Sequence, residues 1–238
     1  MDLTSRAERR RMVKSPLHGP GVRPASGGEP RQLIVFLHGV GADGNDLIGL
    51  APYFADALPD AEFLSPDAPF PCDMAPFGRQ WFSLQDFRLP AILRGIRNAA
   101  PVLDAFLDHE LAARGLSDDD LAIVGFSQGT MMALHVALRR PVACRALVGY
   151  SGLLAGPELL PAELTVRPRV LLAHGEQDEV VPFDFMPLAK NTLERMQVPV
   201  LSLACPGLGH SIGDEGLSAG VRFVADAFAG RLPDRPPV

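Results

Sequence analysis

Gly125-Phe126-Ser127-Gln128-Gly129 lies between two segments of opposite character, and that placement constrains the fold more than any other stretch of the chain. Leu121-Ala122-Ile123-Val124 is a short apolar run suited to a buried strand, and Thr130 to Arg140 reads as an amphipathic helix. A serine at the tip of a sharp strand-to-helix turn, with glycine two residues away on either side, adopts a strained backbone and presents its hydroxyl. A side chain at either glycine would collide with the adjoining strand or helix. The helix N-terminus beneath the serine adds the positive end of a dipole.

The rest of the chain repeats the same rhythm. Strands are expected at Gln32–Leu37, Glu62–Leu64, Leu121–Val124, Ala146–Tyr150, Val170–Ala173 and Val200–Ala204, with a first strand around Leu17–Val22. Helices are expected at Asp46–Ala57, Ala91–Arg114, Gln128–Arg139, Phe183–Met196 and Glu215–Ala229. This alternation predicts an α/β fold: a mostly parallel central sheet, helices on both faces and no large lid domain. At 238 residues the chain is long enough for one extensive core, expected over residues 16–232. Residues 233–238 read as a C-terminal tail. Residues 1–15, with Arg6, Arg9, Arg10, Arg11 and Lys14, read as a basic, disordered N-terminal tail. No apolar segment follows that tail to make it a secretory signal, and Asp2 and Glu8 argue against a transit peptide.

Composition narrows the function classes. A net charge of −6 offers no electrostatic reason to bind nucleic acid or an anionic membrane. No apolar run reaches the ~20 residues that span a bilayer, so stable membrane insertion is not expected. The three cysteines, Cys72, Cys144 and Cys205, are an odd count without metal-ligand spacing, which suits free thiols in the cytoplasm. No metal site and no cofactor are implied.

In a parallel sheet, chemistry gathers at the carboxyl ends of the strands. Leu33–Leu37 runs into His38-Gly39-Val40-Gly41-Ala42-Asp43-Gly44, and Val170–Ala173 into His174-Gly175-Glu176-Gln177-Asp178. The last strand leads through Gly207 and Gly209 to His210. Ser127, Asp178 and His210 therefore follow the chain order Ser…Asp…His of an α/β-hydrolase. The residue types suit nucleophilic catalysis. A serine hydroxyl needs a base during attack, and a neutral imidazole near pKa ~6.5 can accept its proton and later protonate the leaving group. A carboxylate fixes the ring's tautomer and orientation. The resulting oxyanion needs preorganised donors, expected from the backbone N–H groups of Gln128 and of Val40 in the Gly-rich loop.

Rivals exist for two of these roles. His38 and His174 also stand at strand ends, where backbone hydrogen bonds that fix loop geometry are the alternative reading. His18, His109 and His135 read as edge or helix-surface histidines. Asp184 and Asp214 compete for the acid, but the first lies in an expected helix and the second follows the base.

Leu37 to Gly44, Gly125 to Gly129, His174 to Pro182 and Gly209-His210-Ser211-Ile212 together resemble the phospholipase/carboxylesterase family, which includes acyl-protein thioesterases and small bacterial carboxylesterases. The resemblance covers about residues 16–230. It implies Ser127, Asp178 and His210 as the triad, with Val40 and Gln128 as oxyanion donors. Members often carry Leu where Val40 stands, a change that touches pocket shape rather than a backbone donor. Arg79-Gln80-Trp81-Phe82-Ser83-Leu84 resembles the family's substrate-side loop, which implies Trp81 as a substrate contact.

Pro66 to Pro90 is irregular and rich in apolar side chains, and Met74 and Phe77 are expected to line an acyl groove with Trp81. Phe82 and Phe87 either share that groove or pin the loop to the core. Pro157 to Pro168 is a second irregular segment suited to another wall. The expected activity is hydrolysis of carboxylic esters or thioesters with an apolar acyl group, on a small-molecule or lipid-like substrate. An acyl-protein thioesterase or lysophospholipase shares the machinery but needs a longer groove. A noncatalytic hydrolase-fold binding protein is the alternative of another class.

Overall fold

Alternate residues of the central strands feed two separate cores, one on each face of a seven-stranded sheet. A computed structural model describes residues 17–232; the expected tails at 1–15 and 233–238 lie outside the described residues. The chain runs β1 (Gly21–Val22), β2 (Gln32–Leu37), α1 (Gly44–Leu47), α2 (Ala51–Ala55), β3 (Ala61–Leu64), β4 (Phe70–Pro71), β5 (Arg79–Gln80) and α3 (Leu89–Arg114). It continues with β6 (Leu121–Phe126), α4 (Gln128–Ala137), β7 (Ala146–Tyr150), α5 (Leu160–Glu163), β8 (Val170–Gly175), α6 (Phe185–Arg195), β9 (Val200–Cys205) and α7 (Asp214–Phe228).

The sheet order is β1-β3-β2-β6-β7-β8-β9, parallel throughout except where β1 meets β3. The fold is thus the α/β arrangement that the sequence predicts. Leu33, Val35 and Leu37 of β2 join Leu121 and Ile123 of β6 in the core beneath α3, α4 and α6. Ile34 and Phe36, with Ala122 and Val124, face the other way, onto Phe54 of α2 and Phe223 and Val224 of α7. This is the period-2 alternation of a strand, here with both faces buried as parallel sheets require.

α3 buries Ile92, Ile96, Ala99, Leu103, Phe106, Leu107 and Leu111, a stripe at helical spacing. It begins two residues before the expected start because Pro90, lacking an N–H, suits a helix's first turn. The helix expected over Asp46–Ala57 is broken instead into α1, a 3₁₀ turn at Ile48–Leu50, and α2. Pro52 cannot donate to the Ile48 carbonyl, so a continuous helix would lose that bond. The strand expected around Leu17–Val22 is reduced to Gly21–Val22. Within the irregular Pro66–Pro90 segment, β4 and β5 form a two-residue antiparallel ladder.

All ten residues of α4 are buried, so its orientation is set on every side. Just beyond it, the Arg140 side chain is 1 % exposed and paired with three carboxylates. Its guanidinium meets Asp118 at 2.5 Å, Asp108 at 3.1 Å and Asp104, tying α4 to α3 and to the turn before β6.

Candidate active site

Ser127 occupies the β6–α4 turn with φ 53° and ψ −116°, a conformation that costs an L-residue of order 1–3 kcal/mol. The surroundings impose it. A Cβ on Gly125 would stand 2.6 Å from the Thr130 nitrogen, and one on Gly129 1.9 Å from the Leu37 carbonyl oxygen. The Ser127 amide donates to the Tyr150 carbonyl at 2.9 Å, and the Thr130 hydroxyl lies 2.8 Å from the carbonyls of both Gly125 and Tyr150. These contacts anchor the turn to β7.

Asp178 follows β8 with its carboxylate enclosed. Oδ1 accepts the amides of Val180 and Val181 at 2.9 Å each, and Oδ2 accepts the Nδ1–H of His210 at 2.7 Å. His174 Nε2 stands 3.2 Å from the same Oδ2 while it donates to the Val181 carbonyl at 2.8 Å. Burial works to raise the Asp178 carboxyl, but the hydrogen bonds from His210, Val181 and Val180 outweigh it and hold the group below the usual carboxylate range. With its Nδ1 proton directed at Asp178, the His210 ring leaves Nε2 as its proton acceptor. The Phe126 ring packs 4.8 Å from that imidazole.

Ser127, His210, Val40 and Gln128 line one cavity of about 440 Å³. Gln128 is the first residue of α4, so its amide is among those left without an intrahelical carbonyl. The apolar wall of the cavity comes from Phe87, Leu89, Met131, Leu153, Val181 and Phe185. A larger hollow of about 810 Å³ shares Leu89 and Phe185 with it and extends along Leu93, Pro157 and Leu188. That hollow contains none of the candidate reacting groups.

The expected substrate contacts are placed otherwise. Trp81 is fully buried and absent from the cavity wall; its indole N–H donates to the His38 carbonyl at 3.0 Å. The ring fills space beneath the loop instead of facing the cavity. Met74 and Phe77 are exposed, at 56 % and 74 %, and lie outside the cavity wall. They sit on the turn between β4 and β5. Phe87 does reach the wall, and Phe82 is buried in the core.

Met131, Leu153 and Phe185 carried no individual signal in the sequence, because each reads as an ordinary core residue, and Val181 stood only within the family-like stretch His174 to Pro182. His135, expected on a helix surface, is buried, since α4 is covered on all sides. His38 and His174 each hold loop backbone. His38 Nδ1–H donates to the Gly39 carbonyl at 2.7 Å and Nε2 accepts the Ala68 amide at 3.0 Å. Burial lowers the His38 pKa, as a ring with one donor and one acceptor bond requires.

A mostly parallel sheet covered by helices on both faces, with a serine on the turn after a central strand and a His–Asp pair at the ends of later strands, defines an α/β-hydrolase. The likeness goes further than the fold. Residues 23–227 match the phospholipase/carboxylesterase family, and the chain belongs to that family. It is similar to the crystal structure of esterase PE8, with a TM-score of 0.86 and 41 % identity over 90 % of this chain and 100 % of that one. A probable carboxylesterase of Oryza sativa subsp. japonica is 32 % identical, over 86 % of this chain and 91 % of its own length. Acyl-protein thioesterase 1 of Schizosaccharomyces pombe is 27 % identical, over 80 % of this chain and 88 % of its own length. The chain is an esterase-type hydrolase. Among the described residues, no helix is long and apolar enough to cross a membrane.

Proposed function

We propose that the chain hydrolyses carboxylic esters or thioesters bearing an apolar acyl group, through an acyl-enzyme on Ser127. The observation that carries this reading is the 2.7 Å bond from His210 to Asp178, with His210 and Ser127 facing one apolar cavity. Ser127 Oγ attacks the carbonyl carbon while His210 Nε2 takes its proton, and Asp178 stabilises the imidazolium. The amides of Val40 and Gln128 receive the developing oxyanion. Collapse expels the alcohol or thiol, which takes the proton from His210. Water, deprotonated by His210, then releases the acid and restores Ser127.

One observation favours a longer acyl chain, as in a thioesterase or lysophospholipase. The larger hollow adjoins the cavity at Leu89 and Phe185, so a chain that fills the first has an apolar path onward. The cytoplasm is the proposed compartment. Its reducing conditions suit three free cysteines, and burial pushes the Cys144 thiol up to about 12.

The test is stoichiometric labelling by a fluorophosphonate, with Ser127→Ala as control, followed by p-nitrophenyl esters of increasing length set against acyl-CoA and lysophospholipid. Labelling that vanishes in Ser127→Ala together with turnover is the expected result. No labelling, or full activity in Ser127→Ala, overturns the mechanism, and absence of both labelling and turnover favours a noncatalytic binding protein.

A further inference from the structure

The two amides read above as oxyanion donors belong to separate parts of the chain, the loop after β2 and the first turn of α4. The segment Arg79–Phe82 is hydrogen-bonded to both. On the loop side, the Gly41 amide donates to the Arg79 carbonyl at 2.8 Å and the Arg79 amide to the Ala42 carbonyl at 2.7 Å. The Trp81 indole adds its bond to the His38 carbonyl at 3.0 Å. On the helix side, the Gln128 side chain grips the backbone on both edges: Oε1 accepts the Trp81 amide at 2.8 Å and Nε2 donates to the Phe82 carbonyl at 2.7 Å. Both side chains are fully buried, so each bond excludes water.

We propose that Trp81 and the Gln128 side chain are positioning residues, which strap the loop after β2 to the first turn of α4 and thereby set the separation of the Val40 and Gln128 amides. The inference rests on the reading of those amides as the oxyanion hole. Val40 lies between His38 and Gly41, whose backbone groups the strap holds. Its own peptide is also gripped, because the Gly39 carbonyl that accepts from His38 Nδ1 belongs to the peptide whose N–H is Val40's. In a planar trans peptide, fixing the carbonyl fixes the opposite N–H. The fit is close at the strap's start: a Cβ on Gly78, where φ is +80°, would stand 2.0 Å from the Gly41 carbonyl oxygen.

Trp81→Phe keeps an aromatic side chain, though a smaller one, and removes the indole N–H, while Gln128→Met keeps the length and removes both side-chain hydrogen bonds. Active sites in each variant are counted by fluorophosphonate titration, so that kcat is expressed per working site. The affinity of a trifluoromethyl ketone, whose hemiketal oxyanion mimics the tetrahedral intermediate, is measured beside KM and Tm. Misplaced donors weaken only the charged intermediate, so kcat per site should fall about 10- to 100-fold and ketone affinity by the same factor, with KM within about threefold. Unchanged kcat per site and ketone affinity, with a lower Tm or a raised KM, would overturn the proposal and leave the strap as packing alone. If Gln128→Met does not fold, Trp81→Phe decides. Failure of the underlying reading appears separately, as wild-type protein that does not label or Ser127→Ala that remains active.

Discussion

His210 Nδ1 and Asp178 Oδ2 stand 2.7 Å apart, and the Asp178 side chain at this contact is fully buried. The geometry leaves the carboxylate no solvent to share its charge with, so its stabilisation comes from three donors: the amides of Val180 and Val181 and the imidazole of His210. Asp178→Asn should keep the fold and lower kcat by about 10³- to 10⁴-fold, because an amide facing Nδ1 favours the wrong tautomer. Because the Asp178 carboxyl is held low, it stays ionised across the neutral and mildly acid range. In wild-type protein, kcat/KM should therefore fall on the acid side through one protonation, with no second carboxylate step above about pH 4. Two proton uptakes in that window would contradict the assigned roles.

The acyl wall can be tested against the exposed loop. Phe185→Ala should reduce kcat/KM for octanoate esters about 10-fold more than for acetate esters, since each buried methylene is worth at most ~0.8 kcal/mol. Met74→Ser and Phe77→Ser should leave both within about twofold, because neither side chain faces the cavity. The reverse ranking would move the acyl site to the β4–β5 turn.

Acid should destabilise the fold through His135. Burial first, and the charge of Arg139 next, push this imidazole down to about 4. The unfolded chain takes a proton near ~6.5, whereas the folded one resists until about pH 4. The neutral ring's contribution is thus complete above about pH 6.5 and shrinks as pH falls toward 4, by on the order of 3 kcal/mol. Denaturant unfolding of wild type and His135→Met should give stability curves that converge or cross on acidification over this window. Parallel curves would assign the acid sensitivity to other groups, such as buried His38.

Arg140→Met should destabilise by about 3 kcal/mol or more, because Asp104, Asp108 and Asp118 would face one another without their shared cation. Urea unfolding measures the loss. Asp118→Asn, which removes one of the three partners, should cost less. Equal effects would mean that the Asp118 contact carries the whole cluster.

Much of this was legible in the residues themselves. A Gly-x-Ser-x-Gly turn between a strand-length apolar run and a helix can form in few ways, because Gly125 and Gly129 leave no room for side chains. Ser127, Asp178 and His210 stand after β6, β8 and β9, in the chain order that the parallel topology brings to one end of the sheet. Short-range rules placed the major strands to within two residues, since period-2 burial is written locally.

Other features depended on residues distant in sequence. Trp81 carries an aromatic ring beside a reactive face in any linear reading; only its full burial in the folded chain, with the indole N–H on the His38 carbonyl, shows that the ring is enclosed. His135 follows helical spacing, and its burial arises because α4 is covered on every side. The sequence alone determined which residues stand at the strand ends and are proposed to react, for these follow from residue type, order and local periodicity. Tertiary structure alone decided which apolar side chains face the cavity and which fill the core, because burial is a property of contacts between segments many residues apart.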